Sequence, residues 1–221
     1  MMKQAGHWQR QLITNLLGLT AFCLVVGADP FYERVINRVS PTLYMEETAG
    51  VYEVAAAEVD DAGARAAFNA VADVFSSPRC KNCHAAGEGP TQDDEGRPHD
   101  LNVTRGTTGR GKGGTKCNNC HQLSNGTETN SAPGSPDWRM PPPETPMVFA
   151  NKTAAEICRQ VKDPEQNGKK TLDDLIHHVL TDPRIQWAWN PGGDRTPAPR
   201  TYQDFVNKMT EWIQKGGACP D

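Results

Sequence analysis

The chain has 221 residues, with 23 Lys and Arg against 27 Asp and Glu, and carries a formal charge of −4 at pH 7. That length makes one large domain or two small ones, and the acidic balance excludes a generally basic, nucleic-acid-binding surface. Hydrophobic residues are 37% of the chain while Gly and Pro number 20 and 17, which describes a loop-rich domain whose thin apolar core needs more than aliphatic packing to hold its loops.

Residues 1–28 place Lys3 and Arg10 ahead of an apolar run from Leu12 to Ala28. The pattern is that of a secretory signal peptide ending at Ala28 or, left uncleaved, of an N-terminal membrane anchor. Cys23 within it reads as a small buried apolar residue. Residues 29–60 mix Pro, acidic and scattered apolar residues without a period and read as a spacer with at most one short helix. Between Ala62 and Phe75, the side chains of Phe68, Val71, Ala72 and Phe75 share one face at helical spacing, which predicts an amphipathic helix.

That helix leads into Cys80-Lys81-Asn82-Cys83-His84, and the same frame recurs at Cys117-Asn118-Asn119-Cys120-His121. With 7 Cys and 6 His, random order would give a C-x-x-C-H frame about 0.006 times in such a chain, and two occur in this c-type haem attachment pattern. Two thiols three residues apart reach the two haem vinyl groups as thioethers, and the next residue sends an imidazole nitrogen to the iron. The expectation is two haem c groups, held covalently by Cys80, Cys83, Cys117 and Cys120 and ligated by His84 and His121. A zinc ribbon is the rival for paired C-x-x-C, but 33 residues separate the pairs and zinc leaves both following histidines unexplained. A thioredoxin-like pair needs a βαβ context that is absent.

Covalent haem implies export, so the leader and the frames agree on a periplasmic location, soluble or anchored to the inner membrane. In that oxidising compartment the two remaining thiols, Cys158 and Cys219, suggest a disulfide joining two C-terminal helices.

The stretch 85–136 is rich in Gly, Thr, Asn and Asp, with Leu101, Val103 and Leu123 its only aliphatics beyond alanine. Burial of its own side chains cannot offset its ordering entropy; two haems would supply the missing apolar surface. Its GTTGRGKG at 106–113 approaches a phosphate-binding loop, but Gly113 stands where a Ser or Thr should hold magnesium and no strand precedes it. Three later segments begin Thr153-x-x-Glu156, Thr171-x-x-Asp174 and Thr201-x-x-Asp204, each followed by apolar residues at helical spacing, so helices are expected from about 154, 172 and 202. The last carries Tyr202, Phe205, Val206, Met209, Trp212 and Ile213 on one side and ends at Gly216. No segment alternates long enough to predict a strand. Asn102, Asn125 and Asn151 open N-x-T sequons, which a bacterial periplasmic protein seldom uses.

A haem closed on both faces passes electrons, whereas one with an open face binds peroxide or a gas. Outside the frames the candidate sixth ligands are His99, Met140, Met147, His177, His178 and Met209. Met209 sits among core residues. Met140 and Met147 bracket a proline-stiffened loop of the kind that pre-positions a weak thioether ligand. The Val148-Phe149 neighbours favour Met147. His99 occupies a polar loop, and His177 and His178 flank the buried face of one helix by similar angles, so the period leaves all three open.

The region from about Phe68 to Cys219, through FNAVADVFSSPRCKNCH, GRPHDLNV, CNNCHQ, PMVFANKTAAEICRQVKDPEQNGKKTLDDL, HVLTDP, WAWNPGGDRTPAP and a terminal GACP, resembles small bacterial dihaem c-type proteins often labelled isoquinoline 1-oxidoreductase subunits. The resemblance implies His99, Met147 and His178 as distal candidates. It also implies electron acceptance from a molybdenum hydroxylase on another polypeptide.

The expected fold is mainly α and loop-rich, a cytochrome c-like dihaem domain over residues 61–221 with short helices around two covalent haems. The expected function is electron transfer from a periplasmic dehydrogenase to a downstream acceptor such as a membrane respiratory complex, without enzyme activity of its own. The alternative is a peroxidase-type enzyme with one five-coordinate haem. Arg79, Lys81, Arg97, Arg105, Arg110, Lys112 and Lys116 make a local basic excess that either docks an acidic redox partner or serves the haem propionates.

Overall fold

The computed structural model describes residues 59–221; the leader, Cys23 and nearly all of the 29–60 spacer lie outside them. Asp60 opens the first helix, α1 (Asp61–Asn69), by accepting from Gly63 N at 2.8 Å, and α1 buries Ala64, Ala67 and Phe68. The single helix expected to run on to Phe75 is broken in two. Val71 takes φ −119° and ψ 5°, outside the helical basin, and α2 (Ala72–Ser76) restarts beyond it with Val74 and Phe75 buried. The break lets Val71 bury itself completely while Val71 N bonds Phe68 O in a tightened last turn. Ser77 is then extended, as a residue before proline must be, and Pro78 occupies the first turn of α3 (Pro78–Lys81), where its missing N–H is no loss.

The polar stretch after the first frame holds little regular structure. A two-residue antiparallel pair joins β1 (Thr91–Gln92) to β2 (Arg97–Pro98), a pairing too short for alternation to announce, and it delivers His99 directly after its second strand.

The three C-terminal helices begin where their caps predict: α4 (Ala154–Lys162), α5 (Leu172–Thr181) and α7 (Tyr202–Gln214), with the short α6 (Pro183–Trp187) between the last two. Thr153 with Glu156 and Thr171 with Asp174 form reciprocal capping boxes. Thr201 accepts from Asp204 N at 3.1 Å, but the Asp204 carboxylate turns to Arg200, 3.5 Å away.

Helix α7 is the spine. It packs along α1 and against α5, and Trp212, fully buried, meets Phe68 edge-on at 5.2 Å. Phe75 touches Phe68, Phe149 and Phe205, extending this aromatic core toward the first frame. Lys215 ties the end of α7 to the start of α1 through Asp60 at 3.1 Å, and Gly216 at φ 95° turns the chain out of the helix. Cys158 and Cys219 lie at disulfide distance, with Cα atoms 5.6 Å apart. The link runs from α4 to the tail after α7, not between two helices as expected. The described residues are thus mainly helical with long loops and one minimal sheet, and none of their helices is long and apolar enough to cross a membrane.

Candidate haem-binding site

Both C-x-x-C-H frames wind identically. In the first, Cys83 N bonds Cys80 O at 3.2 Å and His84 N bonds Cys80 O at 3.1 Å; in the second, Cys120 N and His121 N bond Cys117 O at 3.2 and 2.9 Å. One tight turn therefore brings two sulfurs and an imidazole together in each frame, with Pro78 starting the first turn and a 3-10 turn over Cys117–Asn119 making the second.

Each frame histidine is held in the same way. His84 Nδ1 donates to the Met147 carbonyl at 2.6 Å and His121 Nδ1 to the Pro133 carbonyl at 2.7 Å. A carbonyl only accepts, so the proton sits on Nδ1 and Nε2 keeps its lone pair for a metal. An aromatic ring lies flat against each imidazole, Phe149 on His84 at 4.1 Å and Trp138 on His121 at 4.6 Å. Trp187 meets Trp138 edge-on at 4.8 Å and lines the cavity of the first frame. Trp138 joins the two frames, stacking on His121 while lining the cavity that Cys83 and His84 also line.

Each frame histidine has a second imidazole near it. A cavity of about 460 Å³ is lined by Cys80, Cys83 and His84 and also by His178 of α5. His178 turns Nδ1 toward Asp182 Oδ2 at 3.4 Å. At the second frame, the rings of His99 and His121 have centroids 6.1 Å apart. Two imidazoles so close together could both serve one haem iron. His99 Nδ1 also donates to a carbonyl, that of Asp100 at 2.8 Å, which leaves the lone pair on Nε2.

Electrostatics suits neutral ligands. Burial pushes His84 down to about 4, against which its bond to Met147 works only weakly. Burial likewise lowers His121 and His178, so all three imidazoles are neutral and free to ligate at pH 7. Burial raises Cys80 to about 12 and Cys83 to about 11, keeping them as thiols. Among the described residues no three His, Cys, Asp or Glu side chains converge on a metal-ion site, so the paired cysteines do not form the four-ligand cluster of a zinc ribbon.

Two further features test whether a haem fits. Arg105 is 7% exposed and its Nε and Nη2 find no hydrogen-bond partner among the described residues, although it sits close enough to His84 to depress it. A buried guanidinium in that state is costly, and the carboxylate of a haem propionate would satisfy it; Arg79, with a side chain 2% exposed, is paired with Asp94 but leaves its Nε unpartnered. Leu101 and Leu123, two residues beyond His99 and His121, are 74% and 76% exposed. They are large apolar side chains beside a polar loop, where a macrocycle's apolar edge would cover them. The residues present fit the group.

The carbonyl of Met147 accepts from the Nδ1 of His84, and Met147 also lines the cavity that Cys80, Cys83, His84 and His178 line, as does Met140. Met140 is buried with its N–H on Gly109 O, and Met209 is packed in the α7 core as expected. His177 is exposed while His178 faces the cavity. The basic excess also shrinks: Arg79 pairs with Asp94, Arg97 with Asp93 and Asp100, and Arg110 with Asp137, leaving buried Arg105 and Lys81, Lys112 and Lys116 without an ion pair among the described residues. Sequence reasoning missed Asp182 and the stacking role of Trp138. The i,i+4 spacing from His178 to Asp182 was the available signal for the first.

Comparison with family models, with curated proteins and with solved structures returns no match. The site is therefore interpreted from its own geometry.

Proposed function

We propose that this chain is a dihaem c-type cytochrome, exported to the periplasm, that relays electrons between protein partners. The observation that carries the reading is a second imidazole near each frame histidine, with Nδ1 of His84, His121 and His99 on backbone carbonyls and Nδ1 of His178 3.4 Å from Asp182. His84 with His178 would close the first haem and His121 with His99 the second. Bound there, the two irons supply reversible one-electron exchange with no bond made or broken. The chain does the rest. Cys80, Cys83, Cys117 and Cys120 tether the groups as thioethers, the carbonyls of Met147, Pro133 and Asp100 fix three ring orientations, and Arg79 and Arg105 neutralise buried carboxylates. Residues of α5, α6 and α7 keep water from the first cavity, which limits solvent reorganisation when charge moves. The neighbouring frames keep the internal step short.

The donor is a periplasmic dehydrogenase, with a molybdenum hydroxylase the class that the resemblance to dihaem subunits favours, and the acceptor lies downstream in respiration. Lys112 and Lys116, exposed beside Cys120, offer an acidic partner its contact near the second haem, and salt then slows association. The test is intact mass with optical spectroscopy on the purified protein. Two covalent haems, both six-coordinate and low-spin and inert to carbon monoxide, support relay; one high-spin haem that binds carbon monoxide and decomposes peroxide favours a peroxidase-type enzyme.

A further inference from the structure

Three of the four imidazoles turn Nδ1 to neutral carbonyls, and one does not: His178 faces the carboxylate of Asp182 at 3.4 Å. Asp182 is 9% exposed and rigidly placed. It ends α5 and begins α6, where Oδ1 accepts from Arg184 N and Nε, both at 2.9 Å, and Oδ2 accepts from Arg184 Nη2 at 2.5 Å. Arg184 also lies 3.8 Å from Asp137, which pairs with Arg110 of the second frame's loop and with Arg139. A buried carboxylate that already has its arginine needs no histidine, so its placement behind an axial ligand calls for a functional account.

The charge supplies one. A ferric iron carries one more positive charge than a ferrous iron, so a fixed negative charge behind an axial imidazole favours the oxidised state. At 3.4 Å the contact is longer than a good hydrogen bond, but Coulomb attraction falls only as the reciprocal of distance, and a half-buried site screens it less than water does. Arg184 opposes part of that charge. The second frame has no counterpart, because His99 and His121 both rest on carbonyls.

We propose that Asp182 is a positioning residue for His178 that lowers the reduction potential of the first haem alone, with Arg184 setting how much of its charge is felt. This rests on the dihaem reading above. It gives two chemically similar bis-imidazole sites different potentials, which a relay needs if electrons are to move in one direction.

The test is a spectroelectrochemical titration of the full haem-loaded protein, with haem content measured by mass on the same samples. Asp182→Asn keeps the cap on α6 and removes the charge. One of the two midpoint potentials should rise, by about 59 mV for a tenfold shift in the one-electron equilibrium, and one of two low-spin ferric resonance signals should shift with it. Arg184→Gln leaves Asp182 in place and should move that same potential the other way. If the variants hold two haems and both potentials stay put, move together, or respond at different haems in the two variants, the proposal is overturned. If the unsubstituted protein holds fewer than two haems, the dihaem reading itself fails and takes the proposal with it.

Discussion

On the proposed dihaem reading, single side chains decide what each iron position can do, and substitution separates their roles. His178→Ala and His99→Ala should each open one sixth position, giving one high-spin haem per chain and carbon monoxide uptake at half the haem content. On the bis-histidine reading, Met147→Leu should leave both haems low-spin, because the backbone carbonyl that meets His84 is kept. An optical titration with carbon monoxide reads all three; a high-spin haem in the Met147 variant contradicts the assignment. In the core, Trp212→Ala should lower stability by about 3–5 kcal/mol in chemical denaturation, since a fully buried indole packed on Phe68 leaves a large cavity. The frames and their histidines were legible from spacing because the attachment chemistry dictates it. The distal ligands were not. His177 and His178 differ by one step of a helix whose buried face they both flank, and only the fold tells which one meets a cavity. Met147 sits on a stiff proline loop that also carries the carbonyl met by His84, so the loop by itself does not separate a thioether role from a carbonyl one.

At the scale of elements, capping chemistry was the most readable signal in the chain. The three threonines that open α4, α5 and α7 are local devices, complete within four residues, so no tertiary contact could overrule them. Thr153→Ala should cost about 1 kcal/mol, measured by thermal melting, as the bond to Glu156 N is lost. Bonds from Thr153 and Lys152 hold the Glu156 carboxyl down from 4.5 to about 2. A depressed carboxylate contributes fully above its unfolded value and loses that contribution as pH falls through its folded one. Stability should therefore decline from pH 4.5 toward 2, and Glu156→Gln should flatten that decline in melts taken across the window; an unchanged slope contradicts the link. The division of α1 from α2 escaped the periodicity because Phe68, Val71 and Phe75 face one way whether or not the helix is continuous. The break shows only in the φ and ψ of Val71.

Across the whole molecule, the described domain has an aromatic and helical half organised on α7 and a polar half, residues 85–136, with almost no regular structure. The composition announces this imbalance, since a stretch so poor in aliphatics cannot order itself. Two long-range fastenings answer it. The Cys158–Cys219 pair spans a sequence separation of 61 and, bonded, contributes about 4 kcal/mol in the chain-entropy picture; reduction should lower the melting temperature, and Cys158→Ala with Cys219→Ala should reproduce the reduced value. On the proposed reading the tethered haems are the second fastening, which makes the occupancy and ligation of both irons the centre of the account. Near-infrared magnetic circular dichroism of the oxidised full-length protein reads that most directly: the account predicts two bis-histidine low-spin ferric haems per chain, and a histidine–methionine band or a high-spin haem at either frame would contradict it.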